Sequence, residues 1–317
     1  MAKKKKILLL SDDLRMHSGI ATMSREFILG TLHHYDWAQI AGAIKHPDEG
    51  KIVDMKESLE KEKGMKDVYL RLYPVSGYGN QDILRQVMDL EKPDAILHYT
   101  DPRFWEWLYQ MEHEIRQEIP IFYYNIWDDL PYPMWNEPFY ESCDLIMNIS
   151  KQTHNIVQNV CQNKQRTDWD STYIPHGINE DNFYPIDSNH KDYKNLTEYR
   201  KKVTNGKDYK FILFWNNRNI KRKLPGDVIM AYKQFCDMLP KEEADKCLLV
   251  MHTAPKDPNG TNLPEVVTKL CNEYDVIFSS QGIPDNELCY LYNIADVTIN
   301  MASNEGFGLG TCEALMC

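Results

Sequence analysis

The stretch DVTINMASNEGFGLGTCEAL, residues 296–315, predicts a strand, a loop and the first turns of a helix. Its loop is rich in glycine, which allows backbone amides to approach a ligand closely. Glu313 lies inside the predicted helix, where a carboxylate can accept hydrogen bonds from both hydroxyls of a vicinal diol such as a ribose. Glu305 lies in the loop and can meet a second hydroxylated group. A capped helix with a solvated glutamate is the alternative, but this order of residues favours a ligand-binding turn.

The same strand–turn–helix pattern recurs along the rest of the chain. In the first half, apolar runs such as KILLLS, DAILHYT and DLIMNIS alternate with amphipathic segments such as QDILRQVMDLEKP. In the second half, YKFILFWNN, KCLLVMHT and DVIFSSQ alternate with PGDVIMAYKQFCDML and DNELCYLYNIA. This alternation predicts mostly parallel sheets with helices on both faces. We therefore expect an α/β protein with two doubly wound, Rossmann-like domains that face each other across a cleft.

A polar, turn-rich segment separates the two halves. Its apolar residues follow neither the helical nor the strand period, which is typical of a link between domains. We predict an N-terminal domain over residues 1–180, an interdomain connection with a surface segment over 181–208, and a C-terminal domain over 209–317.

Composition and charge limit the classes of protein to which this chain can belong. Hydrophobic residues make up 43% and charged residues 26%, as in a soluble globular protein. The formal net charge of −11 disfavours a broad nucleic-acid surface, because phosphate binding needs basic patches. No apolar run approaches the roughly 20 residues that cross a bilayer, and ILLL is too short for the core of a signal peptide. The eight cysteines show no CxxC pair or zinc-type spacing. We expect free thiols and a cytoplasmic protein.

Two further features lie at the predicted carboxyl ends of strands. The segment FWNNRNIKRK carries Arg218 and Lys223, and a guanidinium with an ammonium can neutralise a diphosphate without a metal ion. Gly19 lies between the strand KILLLS and a helix, whose N-terminus suits a phosphate. A solvated basic loop and an ordinary tight turn are the alternatives. The sequence around Gly19 is not GxGxxG, so it does not support binding of a dinucleotide.

These residues together resemble the donor-binding half of retaining glycosyltransferases of family 4, which have the GT-B fold. Residues 278–317 carry the signature of that family, two glutamates separated by seven residues, as Glu305 and Glu313. NNRNIKRK is similar to the family's Arg–Lys pair on the donor diphosphate. SGIATMSREF resembles its glycine loop facing the phosphates, YIPHGINEDNFYP its interdomain stretch, and KPDAILHYTDP its strand ending in a histidine and an acidic-Pro turn.

The resemblance implies a retaining, metal-independent hexosyl- or pentosyltransferase without a cofactor. It would move a sugar from a UDP- or GDP-linked donor to a hydroxyl acceptor. Glu313 would bind the ribose, and Arg218 and Lys223 would stabilise the diphosphate as charge builds on the leaving oxygen. The implied donor-binding residues are Gly19, Arg218, Lys223, Ile283, Glu305, Gly306, Phe307, Gly308, Leu309 and Glu313. The implied catalytic residues are Asp128, Arg218, Lys223 and Glu305, with no metal ligand.

The chain departs from the family in two places. Many members have a histidine against the donor sugar, in the loop after the strand that here is IPIFYYNIW. Either an aspartate takes that role or the geometry differs. His98 is the nearest alternative histidine, and it could equally be structural. The aromatic, acidic stretch over residues 122–140 is expected on the acceptor side. The acceptor-side candidates are His98, Asp101, Asn125, Trp127, Asp128 and Asp129. The family also continues beyond the second glutamate, so we expect a C-terminal part that is truncated or unseen here.

Donor sugar, donor base and acceptor stay open at this point. The acceptor could be a glycan, a lipid-linked sugar, a small molecule or, against the acidic charge, a hydroxylated nucleic-acid base. Two other functions also fit the pattern. One is a glycosidic phosphorylase of the same fold, which would not need a ribose-binding glutamate. The other is a fragment that binds nucleotide without catalysis.

Overall fold

The computed structural model describes residues 3–43, 47–162, 170–279 and 282–317. The chain divides into two compact units, residues 1–176 (unit 1) and residues 177–317 (unit 2). Each unit has its own sheet and its own buried core.

The sheet of unit 1 has eight strands within the described residues. They are β1 (Lys5–Asp12), β2 (Tyr35–Gly42), β3 (Val53–Asp54), β4 (Leu70–Pro74), β5 (Ala95–Tyr99), β6 (Ile121–Asn125), β7 (Leu145–Asn148) and β8 (Ser171–Tyr173). Their spatial order is β3-β4-β2-β1-β5-β6-β7-β8. Only the pair of β3 with β4 is antiparallel among them. The chain builds outward from β1 first toward β2 and β4, then toward β5 and beyond, so the strand order reverses between β1 and β5.

Helices connect these strands. They are α1 (Gly19–Thr31), α2 (Lys56–Lys63), α3 (Gln81–Glu91), α4 (Glu106–Gln110), α5 (Glu112–Ile115), α6 (Glu137–Glu141) and α7 (Lys151–Val160). Short 3₁₀ helices span Pro102–Trp105 and Met134–Asn136. Polar caps fix where the main helices begin, as Asn80 shows by accepting a 3.0 Å hydrogen bond from the amide of Ile83 at the start of α3. Leu8 and Leu10 of β1 pack in the buried core with apolar residues of neighbouring strands and helices.

Unit 2 is a smaller, fully parallel arrangement. Its strands are β9 (Phe211–Asn216), β10 (Cys247–His252), β11 (Asp275–Ser279) and β12 (Val297–Thr298). They lie in the order β11-β10-β9-β12. Its helices are α8 (Tyr193–Val203), α9 (Pro225–Asp237), α10 (Lys241–Ala244), α11 (Leu263–Leu270), α12 (Asp285–Ile294) and α13 (Leu309–Met316), with a 3₁₀ helix over Lys221–Lys223. The strand order reverses between β9 and β12.

The strands of unit 2 bury both of their faces. Along β9, Ile212 and Phe214 pack in one core, while Leu213 and Trp215 pack in the core on the opposite face. Successive side chains of a strand point to opposite faces, so an almost continuous apolar run is what a sheet covered on both sides requires. This observation confirms the predicted doubly wound α/β architecture.

The strands quoted from the sequence are present, although several are shorter than the apolar runs suggest. The last residue of WAQIAGAI and the last two of DVIFSSQ lie outside the described residues. Sequence reasoning missed α8, which lies in the predicted connection over residues 181–208. Leu196, Tyr199 and Val203 of this helix pack in a core of unit 2. Their spacing is helical, but the basic residues between them hid the apolar stripe.

No helix in the described ranges is long and apolar enough to cross a membrane.

Candidate functional site

The basic loop after β9 is folded so that one of its lysines is buried. The 3₁₀ helix Lys221–Lys223 ends at Leu224, which has a left-handed φ of 49°, and α9 begins at Pro225. Lys223 is only 6% exposed and forms an ion pair with Glu305. A buried lysine without an anionic partner would be costly, and the ion pair with Glu305 offsets that cost.

Arg218 and Arg222 occupy different surroundings in the same loop. The Arg218 side chain is exposed, and its Nε donates to Oδ2 of Asp257 at 3.0 Å. Arg222 donates from Nη1 to the carbonyl oxygen of Asn304 at 2.8 Å, and its own carbonyl accepts from the amide of Ser303 at 2.9 Å. The basic loop after β9 therefore contacts the glycine-rich loop after β12.

The glycine-rich loop holds Glu305 beside the start of α13. Asn300 donates from Nδ2 to Oε1 of Glu305 and to Oγ1 of Thr311, both at 3.3 Å. Gly308 caps α13 with a left-handed φ of 82°, a conformation that side chains with a Cβ disfavour. The expected donor-binding residues over 306–309 lie in this loop and at the first turn of α13, half-buried. Ile283 instead packs against a core of unit 2, before α12.

Glu313 ends a chain of hydrogen bonds that sequence reasoning did not find. Tyr292 donates from its hydroxyl to Oε2 of Glu313 at 2.8 Å, and Asn216 donates from Nδ2 to the same hydroxyl at 2.8 Å. A Cβ on Gly310 would lie 3.2 Å from the Tyr292 hydroxyl, so glycine lets α13 come this close. Burial raises the pKa of Glu313, and the hydrogen bond from Tyr292 partly offsets that rise.

Strand order is what brings these residues together. Asn216 ends β9, and Glu305 and Glu313 follow β12, the strand that pairs with β9 in parallel. Parallel neighbours present their carboxyl ends at one edge of the sheet, and ligands of such sheets bind where the strand order reverses. The basic loop, the glycine-rich loop and Glu313 therefore form one polar site at the β9–β12 edge of unit 2.

In unit 1, Gly19 is the first residue of α1, as the sequence predicts for a helix N-terminus. Ser18 precedes it as the cap, and its Oγ accepts a 3.1 Å hydrogen bond from the amide of Ala21. α1 is the element that follows β1, and the loop between them leads from the carboxyl end of β1 to the N-terminus of α1.

His98 is fully buried in unit 1. Its Nδ1 lies 2.6 Å from the Tyr109 hydroxyl, and its ring stacks on Tyr123 at a centroid distance of 5.1 Å. Burial lowers the pKa of His98 to about 3, so the imidazole is neutral at physiological pH. This environment favours the structural alternative for His98 over a place beside a substrate.

The other acceptor-side candidates lie after β5 and β6. Asp101 accepts from the amide of Arg103 at 3.0 Å and forms an ion pair with its guanidinium at 2.6 Å. That guanidinium lies 4.9 Å from the centroid of the Trp127 ring. Asn125 is buried and donates to Oδ1 of Asn148 at 3.2 Å.

The two consecutive aspartates in the loop after β6 make different contacts. The carbonyl oxygen of Asp128 accepts from Nε2 of Gln152 at 2.9 Å, which ties the loop backbone to α7. Asp129 accepts at its carboxylate from the amide of Leu130 at 2.9 Å and at its carbonyl from Nε1 of Trp127 at 3.2 Å. Hydrogen bonds within the loop and from α7 therefore fix its backbone.

Within the part of the chain that the structure describes, no group of three or more His, Cys, Asp or Glu side chains is arranged to hold a metal ion.

Comparisons with known proteins show the fold. No protein-family model matches the sequence, and no protein with a curated description matches it. Among solved structures, HepE from Anabaena in complex with UDP and glucose matches with a TM-score of 0.68 and 13% identity, over 99% of this chain and 79% of that chain. An alpha,alpha-trehalose-phosphate synthase (UDP-forming) from Burkholderia vietnamiensis matches with a TM-score of 0.67 and 12% identity, over 99% and 80%.

A glycosyltransferase from Rickettsia africae is also similar, with a TM-score of 0.64 and 17% identity over 98% of this chain and 76% of that chain. At such low identity the likeness concerns the fold alone. The chain has the GT-B fold of two Rossmann-like α/β units, as expected from the sequence.

Proposed function

We propose that this protein is a retaining glycosyltransferase that moves a sugar from a nucleotide-sugar donor to a hydroxyl acceptor without a divalent metal ion. The observation that carries the proposal is the meeting of the basic loop with the loop of Glu305 and the helix of Glu313 at the β9–β12 edge. One small region thus offers cations for a diphosphate and carboxylates for hydroxyl groups.

The chemistry of the site supports each proposed role. Glu313 is oriented by Tyr292 and binds the ribose hydroxyls of the donor. Arg218 and Lys223 stabilise the diphosphate leaving group, because negative charge grows on its oxygen as the glycosidic bond breaks. Glu305 and the backbone over 306–309 hold the donor sugar. The start of α1 at Gly19 offers backbone amides to a phosphate group.

Arg218 and Lys223 are each paired with a carboxylate before a donor binds. A bound diphosphate would compete with Asp257 for the Arg218 guanidinium, whose side chain is exposed. Lys223 is held in the loop by Glu305, so its charge is placed before the donor binds. Preorganised charge of this kind costs no rearrangement during the reaction.

The similar structures support a nucleotide-sugar donor. HepE was solved with UDP and glucose and with UDP-glucose, and the trehalose-phosphate synthase from Burkholderia vietnamiensis is named as UDP-forming. We infer a UDP- or GDP-linked donor. Retention of configuration rests on the resemblance of the Glu305–Glu313 stretch to family 4, and the aspartate of the β6 loop, Asp128, is the proposed group beside the donor sugar.

A donor screen tests the proposal. Release of nucleotide from each common UDP- and GDP-linked sugar is measured with and without hydroxylated acceptors, and the anomeric configuration of the product is read by NMR. Arg218→Ala should reduce turnover strongly, while Arg85→Ala serves as the matched control, since Arg85 is also an exposed arginine paired with a carboxylate. Release of sugar phosphate in place of nucleotide would instead indicate a phosphorylase.

A further inference from the structure

The place where the strand order of unit 1 reverses contains a carboxylate with poor hydrogen bonds. Asp12 is the last residue of β1 and is 9% exposed. Within the described residues, its carboxylate accepts from Oγ of Ser18 and from Oγ1 of Thr100, both at 3.5 Å. These distances are at the outer limit for a hydrogen bond. Burial is the main cause that raises the pKa of Asp12. The carboxylate is therefore able to accept better hydrogen bonds from a ligand.

An aromatic face lies near this carboxylate, because Asp12 pairs with Gly42 of β2 and a Cβ on Gly42 would lie 3.3 Å from the Tyr78 ring. Tyr78 follows β4 and stacks on Phe104, with ring centroids 4.7 Å apart and planes inclined by 2°. Phe104 is nevertheless 51% exposed, so much of its side chain stays open to solvent. Burial and the charges of Asp12 and Asp101 raise the pKa of Tyr78 to about 12, so its phenol stays protonated.

Three glycines hold Tyr78 in this position. Gly77 and Gly79 flank it with φ of 60° and 74°, in the left-handed region that glycine adopts readily. A Cβ on Gly42, at the end of β2, would lie 2.9 Å from the carbonyl oxygen of Gly77 and 3.3 Å from the Tyr78 ring. The loop can therefore cross the end of β2 only because residue 42 is glycine.

The chemistry of this surface matches an uncharged sugar. The C–H face of a pyranose packs on an aromatic ring, while its hydroxyls donate to carboxylates. A phosphorylated sugar would bring negative charge to the buried carboxylate of Asp12. Nucleic acid would bring several phosphates to a chain whose formal net charge is −11.

We propose that Asp12, Tyr78 and Phe104 form an acceptor subsite in unit 1, and that the acceptor is a neutral saccharide. The inference deepens the proposed function and rests on it. Asp12 accepts hydrogen bonds from acceptor hydroxyls, Phe104 stacks on the sugar ring, and the Tyr78 phenol adds a hydrogen-bonding group at the edge of that ring.

Binding of probes to the whole protein tests the subsite separately from the donor reaction. Isothermal calorimetry compares methyl glucosides, galactosides and mannosides and their disaccharides with the matching sugar phosphates and with a single-stranded oligonucleotide that contains hydroxymethylcytosine. We expect a neutral saccharide to bind. Asp12→Asn should weaken that binding about tenfold or more, because it replaces a charged acceptor. Phe104→Ala should weaken it roughly three- to tenfold through loss of the stacking face.

Two controls separate the possible failures. Tyr193→Ala removes another exposed aromatic side chain, in unit 2, and should leave saccharide binding unchanged. Binding of UDP or GDP should be equal in wild type, Asp12→Asn and Phe104→Ala, and thermal melting checks that each variant is folded. If no nucleotide binds, the proposed function fails. If nucleotide binds but no neutral saccharide does, or if both variants bind the saccharide as wild type does, the subsite is refuted. Preference for the sugar phosphate or the oligonucleotide would also overturn it.

Discussion

Substitution of Tyr292 by Phe should change the pH at which this protein distinguishes a ribose from a deoxyribose. The Tyr292 hydroxyl donates to Oε2 of Glu313 at 2.8 Å. Burial raises the pKa of this carboxyl, and the hydrogen bond from Tyr292 offsets part of that rise. Tyr292→Phe deletes one oxygen and keeps the ring, which packs edge-on against Phe214. The variant should therefore fold while Glu313 loses its stabilising donor.

The size of the effect follows from the hydrogen bond. A hydrogen bond to a charged group contributes about 1.5–3 kcal/mol. One pKa unit corresponds to about 1.4 kcal/mol, so loss of the Tyr292 hydroxyl should raise the pKa of Glu313 by roughly one to two units. Because the ionised carboxylate is the form that accepts from both ribose hydroxyls, the pH needed for ribose recognition should rise by the same amount.

The assay compares UDP with its 2′-deoxy counterpart by calorimetry over a range of pH. Their phosphates titrate alike, so the ratio of the two dissociation constants isolates the contact with the ribose. In wild type the ratio should be about tenfold or more above the pKa of Glu313 and approach one below it. In Tyr292→Phe the midpoint of this change should lie roughly one to two pH units higher. GDP and its deoxy counterpart are measured in parallel.

Two variants serve as controls. Glu313→Gln should hold the ratio low at every pH. Glu91→Gln alters a buried glutamate of unit 1 that also accepts from tyrosine hydroxyls, and it should leave the wild-type profile intact. A ratio near one in wild type at all pH values, or a wild-type profile in Glu313→Gln, would show that Glu313 does not bind the ribose. An unchanged midpoint in Tyr292→Phe would show that Tyr292 does not control its ionisation.

Four other outcomes are expected. Arg218→Ala should lower turnover about a hundredfold with folding intact, while Arg85→Ala stays at the wild-type rate; equal rates would place the diphosphate elsewhere. Burial raises the pKa of Glu313 above its ordinary value of 4.5, so its contribution to stability is present below that value and lost as pH rises through the raised one. Glu313→Gln should therefore melt at a higher temperature than wild type near neutral pH, and a lower melting temperature would contradict this. Gly42→Ala should destabilise the fold by about 1–3 kcal/mol in chemical denaturation, because its Cβ would lie 2.9 Å from a backbone carbonyl, whereas Gly30→Ala meets open space. A chelator should leave turnover unchanged, and activity that is abolished and then restored by manganese or magnesium would refute metal independence.

Much of the fold could be predicted from the sequence because its signals are local. Apolar runs with period two and amphipathic segments with period 3.6 are set by neighbours along the chain. The strand–loop–helix order around Glu305 and Glu313 is local in the same way, and the structure places β12, the glycine-rich loop and α13 there. The α8 helix was missed although Leu196, Tyr199 and Val203 have helical spacing, since basic residues dominate its sequence.

The partners of the site residues depend on contacts between distant parts of the chain. Lys223 and Glu305 are 82 positions apart, and their pairing requires that β12 lie beside β9. Tyr292 belongs to an amphipathic helix, where a tyrosine ordinarily predicts core packing, and only the approach of α13 shows that its hydroxyl serves Glu313.

In unit 1 as well, the sequence shows which residues are present but not which of them meet. Asp12, which directly follows KILLLS, and the glycines around Tyr78 are visible in the sequence, yet nothing local relates them to Phe104. Tyr78 and Phe104 follow β4 and β5, which are separated in the sheet by β2 and β1. Periodicity determines which residues of a strand are buried, but strand order is decided by how whole helices and strands pack, and that packing chooses which loops meet.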